Sequence, residues 1–210
     1  PYGVVVGSTG VINVGSLTIA TPTAAYMDKL ISPLGVVDDA ATAAALAGKI
    51  PLSASGLVLV KGRVHASDAI TLAADRVDVA SGASLVAGPM AQVAFADLVN
   101  MGSFASATQV QVNAGVVRIL AAKDIRIAGQ ISVDGSSHQT AGTVDLNAGG
   151  DLHLQSGANI SADGHGLAAN AGAVHLWANG SARLESGALV SARGGELSGH
   201  GGSVELSAHD

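Results

Sequence analysis

Cysteine is absent from all 210 residues, which removes disulfide staples, thiolate nucleophiles and cysteine-based zinc sites together. Aromatic residues make up 2% of the chain and charged residues 12%, both well below an ordinary globular domain. Small aliphatic side chains must therefore fill most of the interior. No run of about 18 apolar residues occurs, because Gly, Ser, Asp or Asn interrupts every candidate, and this argues against a membrane-spanning helix. Basic residues are also scarce: ten Lys+Arg face sixteen Asp+Glu for a formal net charge of -6. With no basic cluster to release counterions from a phosphate backbone, nucleic acid is not an expected partner. The first residues carry neither a basic leader nor a small-residue cleavage pattern, so the sequence reads as a mature chain or a piece cut from a longer one.

What the chain has in quantity is glycine, 28 residues, and hydrophobic residues at 48%, arranged as a repeat. Residues 142–171 (GTVDLNAGGDLHLQSGANISADGHGLAANA) align without a gap to 172–201 (GAVHLWANGSARLESGALVSARGGELSGHG), a period of 30, and a third copy starts at Gly202 with GSVELSA. An earlier copy, Gly115–Ala141, lies 27 residues back, with a two-residue adjustment around Gly129 and a shorter final loop. Each copy holds three short runs with apolar residues at alternate positions, as in Val144-Asp145-Leu146, Leu152-His153-Leu154 and Ile160-Ser161-Ala162. A period of two is a strand signal. Three strands per copy, with no helical pattern between them, suit a coil of a solenoid in which each strand pairs with its counterpart one coil away.

The expected fold is all-β: a right-handed parallel β-helix (solenoid) with short extra-helical insertions. Inward columns should run Val117-Val144-Val174-Val204, Ile119-Leu146-Leu176-Leu206, Ile125-Leu152-Ala182, Ile127-Leu154-Leu184 and Ile131-Ile160-Val190. One outward column should run Arg118-Asp145-His175-Glu205, mostly alternating in charge as stacked neighbours prefer. Residues 115–210 form the regular part. Residues 1–114 are less regular but continuous with it, reading as strands at Leu57–Val60, Ala69–Leu72 and Arg76–Val79, with a Ser81-Gly82-Ala83 turn that recurs at Ser156 and Ser186. Two insertions are expected. One spans 20–52, where Asp38 or Asp39 caps a short helix through Ala40–Leu46, and the other lies near 88–104, where Pro89, Asn100 and two Phe disturb the alternation. The third copy stops at Asp210 before its second strand, so the chain is expected to continue into further coils or to bury that end against another subunit.

Catalytic chemistry is hard to find. Carbohydrate-active β-helices need convergent carboxylates on an exposed strand face, and Asp124/Asp151 and Asp134/Asp163 are the candidate pairs. Aspartate more often closes a turn through its side chain, and the next coil replaces them with Ser181 and Arg193. His65, His138, His153, His165, His175, His200 and His209 show no paired metal-ligand spacing, and no metal or cofactor is expected. Gly194-Gly195 and Gly199-His200-Gly201-Gly202 lack the Lys-Ser/Thr and helix of a phosphate loop. Trp177, directly after inward Leu176, is either a platform for carbohydrate or a cover over a strand face. The chain is not expected to be an enzyme.

The segment PYGVVVGSTGVINVGSLTIATP at 1–22 resembles the amino-terminal secretion domain of filamentous haemagglutinin-type adhesins exported by two-partner secretion. Pro1, Tyr2, Gly3 and Val4 match the last four positions of that family's Asn-Pro-x-Gly-Val/Ile motif, and the leading Asn would precede Pro1. Tyr26-Met27-Asp28 and Ile31-Ser32-Pro33 resemble the subgroup of leukotoxin-type filamentous adhesins. The resemblance implies a secretion motif at Pro1, Tyr2, Gly3 and Val4, recognition by an outer-membrane transporter, and release to the cell surface or medium. It further implies a structural and adhesive role for the shaft towards a host or bacterial surface receptor, with carbohydrate among the candidate ligands. The alternatives are a self-assembling extracellular filament subunit, a homo-oligomer joined through coil ends, and a carbohydrate-active β-helix enzyme.

Overall fold

The structure, a computed structural model, describes residues 3–31, 38–46, 49–88, 114–137 and 139–209. Its backbone winds as a parallel β-helix whose coils each lay a strand on three faces. The first face stacks β1 (Gly3–Val6), β3 (Leu57–Val60), β5 (Arg76–Val79), β8 (Ile125–Ile127), β12 (Leu152–Leu154) and β16 (Ala182–Leu184) in that spatial order. The second and third faces share two long strands, β2 (Val11–Ala20) and β4 (Arg63–Ala74). Through Arg63–Ala66, β4 pairs with β6 (Ser84–Ala87), and the second face continues into β9 (Gln130–Ser132), β13 (Asn159–Ser161) and β17 (Leu189–Ser191). Through Ala69–Ala74 the same strand pairs with β7 (Val116–Ala121), leading into β11 (Thr143–Ala148), β15 (Ala173–Ala178) and β18 (Ser203–Ala208) on the third face. The β2–β4 register shifts between Val14 and Ser16, where both strands turn the corner.

All of these strand pairs are parallel, and their registers match the sequence alignment. Val144 pairs with Val117 and Val174, Leu146 with Ile119 and Leu176, and Ile160 with Ile131 and Val190. Side chains alternate across a strand, so equal register places like residues in columns separated by the interstrand spacing of about 4.8 Å. Val117, Val144 and Val174 are fully buried, as are Ile125, Leu152, Ile127, Leu154, Ile131 and Ile160. The outer column Arg118-Asp145-His175-Glu205 is also in register.

One part of the expectation needs correction. Leu184, Val204 and Leu206 hold their predicted register but are 42%, 49% and 46% exposed, while Ala182 and Val190 are only partly buried against the core. Their position explains it, because they belong to the last described coil and no further described coil covers them.

A bare coil is short. Leu57 pairs with Arg76, so that coil closes in 19 residues, whereas Ile125 pairs with Leu152 and Leu152 with Ala182, giving 27 and 30. Much of the difference leaves at the corner between the second and third faces. There β4 turns within one strand, while residues 133–137 with 139–142 and residues 162–172 form loops in the longer coils. Those loops pair with each other through β10 (Gly135–Ser136) and β14 (Gly164–His165). Gly88 and Gly115 lie against each other at the same corner; the expected insertion near 88–104 lies, apart from Gly88, outside the described residues. Glycine is required where the long loops rejoin the coil. A Cβ on Gly142, Gly172 or Gly202 would run into the carbonyl of Gly115, Gly142 or Gly172 one coil below, the same carbonyls that accept hydrogen bonds from Thr143, Ala173 and Ser203.

Between β2 and β3 the chain leaves the coil for two helices. α2 (Asp39–Leu46) matches the expected element and is capped by Asp38, whose Oδ1 accepts the Ala41 N–H at 2.8 Å. α1 (Ala24–Leu30) is an addition that the sequence reading lacked. Thr23 caps it by accepting the Tyr26 N–H, and the Tyr26 hydroxyl donates to the Ala41 carbonyl at 2.7 Å, tying the two helices together.

Leu176 tests the columns most sharply, since it is 1% exposed between Leu146 and Leu206. Leu176→Ala is expected to cost about 2–5 kcal/mol, and Leu176→Asp more, because it adds an unpaired buried charge. Thermal melts monitored by circular dichroism check this; an unchanged melting temperature for Leu176→Asp would place residue 176 outside the core.

Candidate functional site

Gly3 and Val4, two members of the expected secretion motif, lie in β1; Pro1 and Tyr2 fall outside the described residues. Among the described residues β1 pairs with β3 alone, at the edge of the first-face sheet. Its outer surface is apolar, with Val5 61% exposed. Gly3 sits tight on the neighbouring coil, where an added Cβ would lie 2.9 Å from the Leu57 carbonyl.

Along the first face runs a groove of about 210 Å³ lined by Asp124, Arg126, Asp151, His153, Ser181 and Arg183. It gathers one of the two candidate carboxylate pairs, and the hydrogen bonds show how those groups are used. Asp124 Oδ1 accepts the Asp151 N–H at 3.1 Å, and Asp151 Oδ1 accepts the Ser181 N–H and hydroxyl at 2.9 and 3.0 Å. Each carboxylate therefore holds the entry of the next coil's first strand. Glu185 reaches back instead, holding the turn that follows the preceding coil's first strand: it accepts the Ser156 N–H at 2.9 Å and meets His153 Nε2 at 2.7 Å. The Ser181 donors hold Asp151 below the usual carboxylate range, and the Ser156 N–H with His153 does the same for Glu185.

The second pair, Asp134 and Asp163, lies buried where the second face enters the corner loop. Asp134 Oδ1 accepts the Asp163 N–H at 2.8 Å, and its Oδ2 accepts the Ser161 hydroxyl at 3.0 Å and meets His165 Nε2 at 3.3 Å. One coil on, Asp163 repeats the motif, accepting the Arg193 N–H at 2.7 Å and the Ser191 hydroxyl at 3.0 Å, with the Arg193 guanidinium 2.8 Å from Oδ2. Arg193 thus stands where the next aspartate would be and closes the ladder with an ion pair. Burial alone would raise the pKa of Asp163, but the donors from Arg193 and Ser191 and the guanidinium charge outweigh it and leave the group below its ordinary value. Residues of opposite character on successive coils, Asp163 and Arg193, were the sequence sign of this structural use.

The histidines pair singly. His175 Nδ1 meets Asp145 Oδ1 at 2.9 Å, and Asp145 also receives the Arg118 guanidinium at 3.4 Å. His65 is buried against Asn13 Oδ1 at 3.0 Å, and burial with the nearby Arg63 charge lowers its pKa. His200 uses its backbone N–H on Asn170, and His138 lies outside the described residues. Among the described residues no group of three His, Asp or Glu side chains could hold a metal ion, and no helix is long and apolar enough to cross a membrane. Trp177 points outward on β15 and is 41% exposed. No family model, curated protein or solved structure matches the chain.

A pH dependence follows from the carboxylates. The folded pKa values of Asp151, Asp163 and Glu185 lie below their unfolded values. Their contribution is therefore whole above the unfolded carboxylate range near about pH 4 and is lost as pH falls through the lower folded values. Asp163→Asn should cost about 1.5–3 kcal/mol at neutral pH, the range for hydrogen bonds to a charged group. Its melting temperature should converge on that of the parent at acid pH; parallel curves would show that the Asp163 charge is not engaged.

Proposed function

We propose that this chain is the export and shaft region of a secreted filamentous adhesin, a structural and adhesive protein carried across the outer membrane by a dedicated transporter. The observation that carries the reading is the in-register stack of coils. Apolar columns run from coil to coil, and the buried or groove-lining carboxylates hold the backbone of adjacent coils. Such a body grows by strand addition, each new coil taking its register from the edge already folded. A chain emerging from a pore can fold this way from its leading end. Further support comes from β1, which holds Gly3 and Val4 of the motif at the edge of the described first-face sheet and carries an apolar surface. An edge of that kind is suited to strand addition by a partner.

The enzyme alternative is weaker in this reading. Asp124 and Asp151, which line the groove, accept hydrogen bonds from the following coil, whereas acid-base work needs a carboxyl directed at substrate.

Deleting residues 1–14 from the full-length precursor is expected to abolish export while the transporter stays at its normal level, read by immunoblot of culture medium and outer membrane. Undiminished export of the deletion would overturn the secretion reading.

A further inference from the structure

Trp177 is the single tryptophan of the chain, and its exposure has no explanation in the architecture. Among the described residues, the other large hydrophobic side chains that stand exposed lie in the first or last described coil, in the corner loops, or just after α1. Trp177 instead occupies a strand paired on both sides, by β11 and by β18. Across the sheet it is in register with Asn147 and Ser207, and two residues back along its own strand His175 faces the same way.

The polar groups around the indole are already oriented. Asp145 holds the His175 ring at 2.9 Å, and the Ser207 hydroxyl donates to Glu205 at 3.2 Å. The patch therefore consists of one broad apolar ring bordered by Asn147, His175 and Ser207, on a sheet surface rather than in a pit. Its chemistry is amphipathic, and the indole keeps an apolar body beside polar neighbours.

We propose that Trp177, with Asn147, His175 and Ser207, is a binding platform for a neutral pyranose of a surface glycan. A pyranose presents an apolar C–H face that stacks on an indole and a perimeter of hydroxyls that exchange hydrogen bonds with amide, imidazole and hydroxyl groups. A protein partner fits less well, since stable protein interfaces bury on the order of 1,200–2,000 Å² and this apolar patch is one ring. An anionic sugar is disfavoured by Asp145 and Glu205 in the adjacent column. This inference rests on the adhesive reading and names the ligand class for it.

Because Trp177 is the only indole, its fluorescence reports the site directly. Titration of the purified chain with neutral hexo-oligosaccharides of β-glucose, β-galactose and α-mannose is expected to shift that emission saturably for at least one of them. Trp177→Ala, whose melting temperature should match the parent, should weaken binding by roughly tenfold or more in calorimetry, and Trp177→Phe should restore part of it. Polygalacturonate of equal length should leave the emission unchanged. The proposal is overturned if no neutral sugar shifts the emission, if Trp177→Ala binds as the parent does, or if only the polygalacturonate binds. Each of those results leaves the export assay untouched, so failure of this site is distinguishable from failure of the secretion reading.

Discussion

Every described strand depends on its counterpart one coil away for backbone hydrogen bonds, and that dependence sets the rest of the structure. A buried peptide group left unpaired is costly, and three-residue strands such as β8, β12 and β16 have no partner within their own coil. Parallel pairing in equal register is what satisfies them. Once register is equal, a valine must lie over a valine-like residue and a leucine over a leucine-like one, because a slip of one residue would turn the apolar set to solvent. The aspartates act on the same constraint. Asp124, Asp134, Asp151 and Asp163 each accept the N–H that opens or closes a strand of the following coil, where the ladder itself is interrupted by a turn.

The same constraint explains where the chain tolerates change. Among the coils that begin at Leu57, Ile125 and Leu152, length varies from 19 to 30 residues, and much of that variation sits at one corner, because a loop inserted there leaves the strands on either side in register. Loops of neighbouring coils then continue the stacking through β10 and β14. The glycine column Gly115-Gly142-Gly172-Gly202 marks the return to the coil, where the backbones approach too closely for a side chain. The Ser-Gly turns before β6, β13 and β17 mark the opposite need. Gly82, Gly157 and Gly187 adopt positive φ there, the first two with open space around them and Gly187 with no neighbour nearer than the Ser156 hydroxyl at 3.5 Å, so their requirement is conformational rather than steric.

Much of the fold was legible because its repeat is. The gapless alignment of 142–171 with 172–201 encodes the register that the strands adopt. Legibility failed where the alternation fails. Val64, His65 and Ala66 are buried consecutively as β4 approaches the corner, so no period of two announces the Arg63–Ala66 strand. α1 was missed for a different reason: it is seven residues long and has no acidic residue in its first turn, leaving Thr23 as its one start signal. Site geometry was less accessible still. Pairs such as His153–Glu185 and His175–Asp145 join residues 32 and 30 positions apart, and only the direction in which side chains lean decides which of several stacked groups meet. Trp177 was recognisable as an outward residue by its place after Leu176, but its exposure on a strand paired on both sides required the coordinates.

The central claim, that coils stack in a single linear register from the first to the last, is tested most directly by distances between outward residues of one column. Thr18 pairs with Thr71, Thr71 with Arg118, and the column continues through Asp145 and His175 to Glu205. Spin labels at Thr18 and Glu205, both exposed, should therefore lie five interstrand steps apart, at about 24 Å between attachment points for a spacing of about 4.8 Å. A label pair at Thr71 and Glu205 should come out one step shorter. Pulsed electron resonance giving narrow distributions with that increment is the result the stack predicts. A separation unrelated to the number of coils between the labels, or a broad distribution for both pairs, would contradict it.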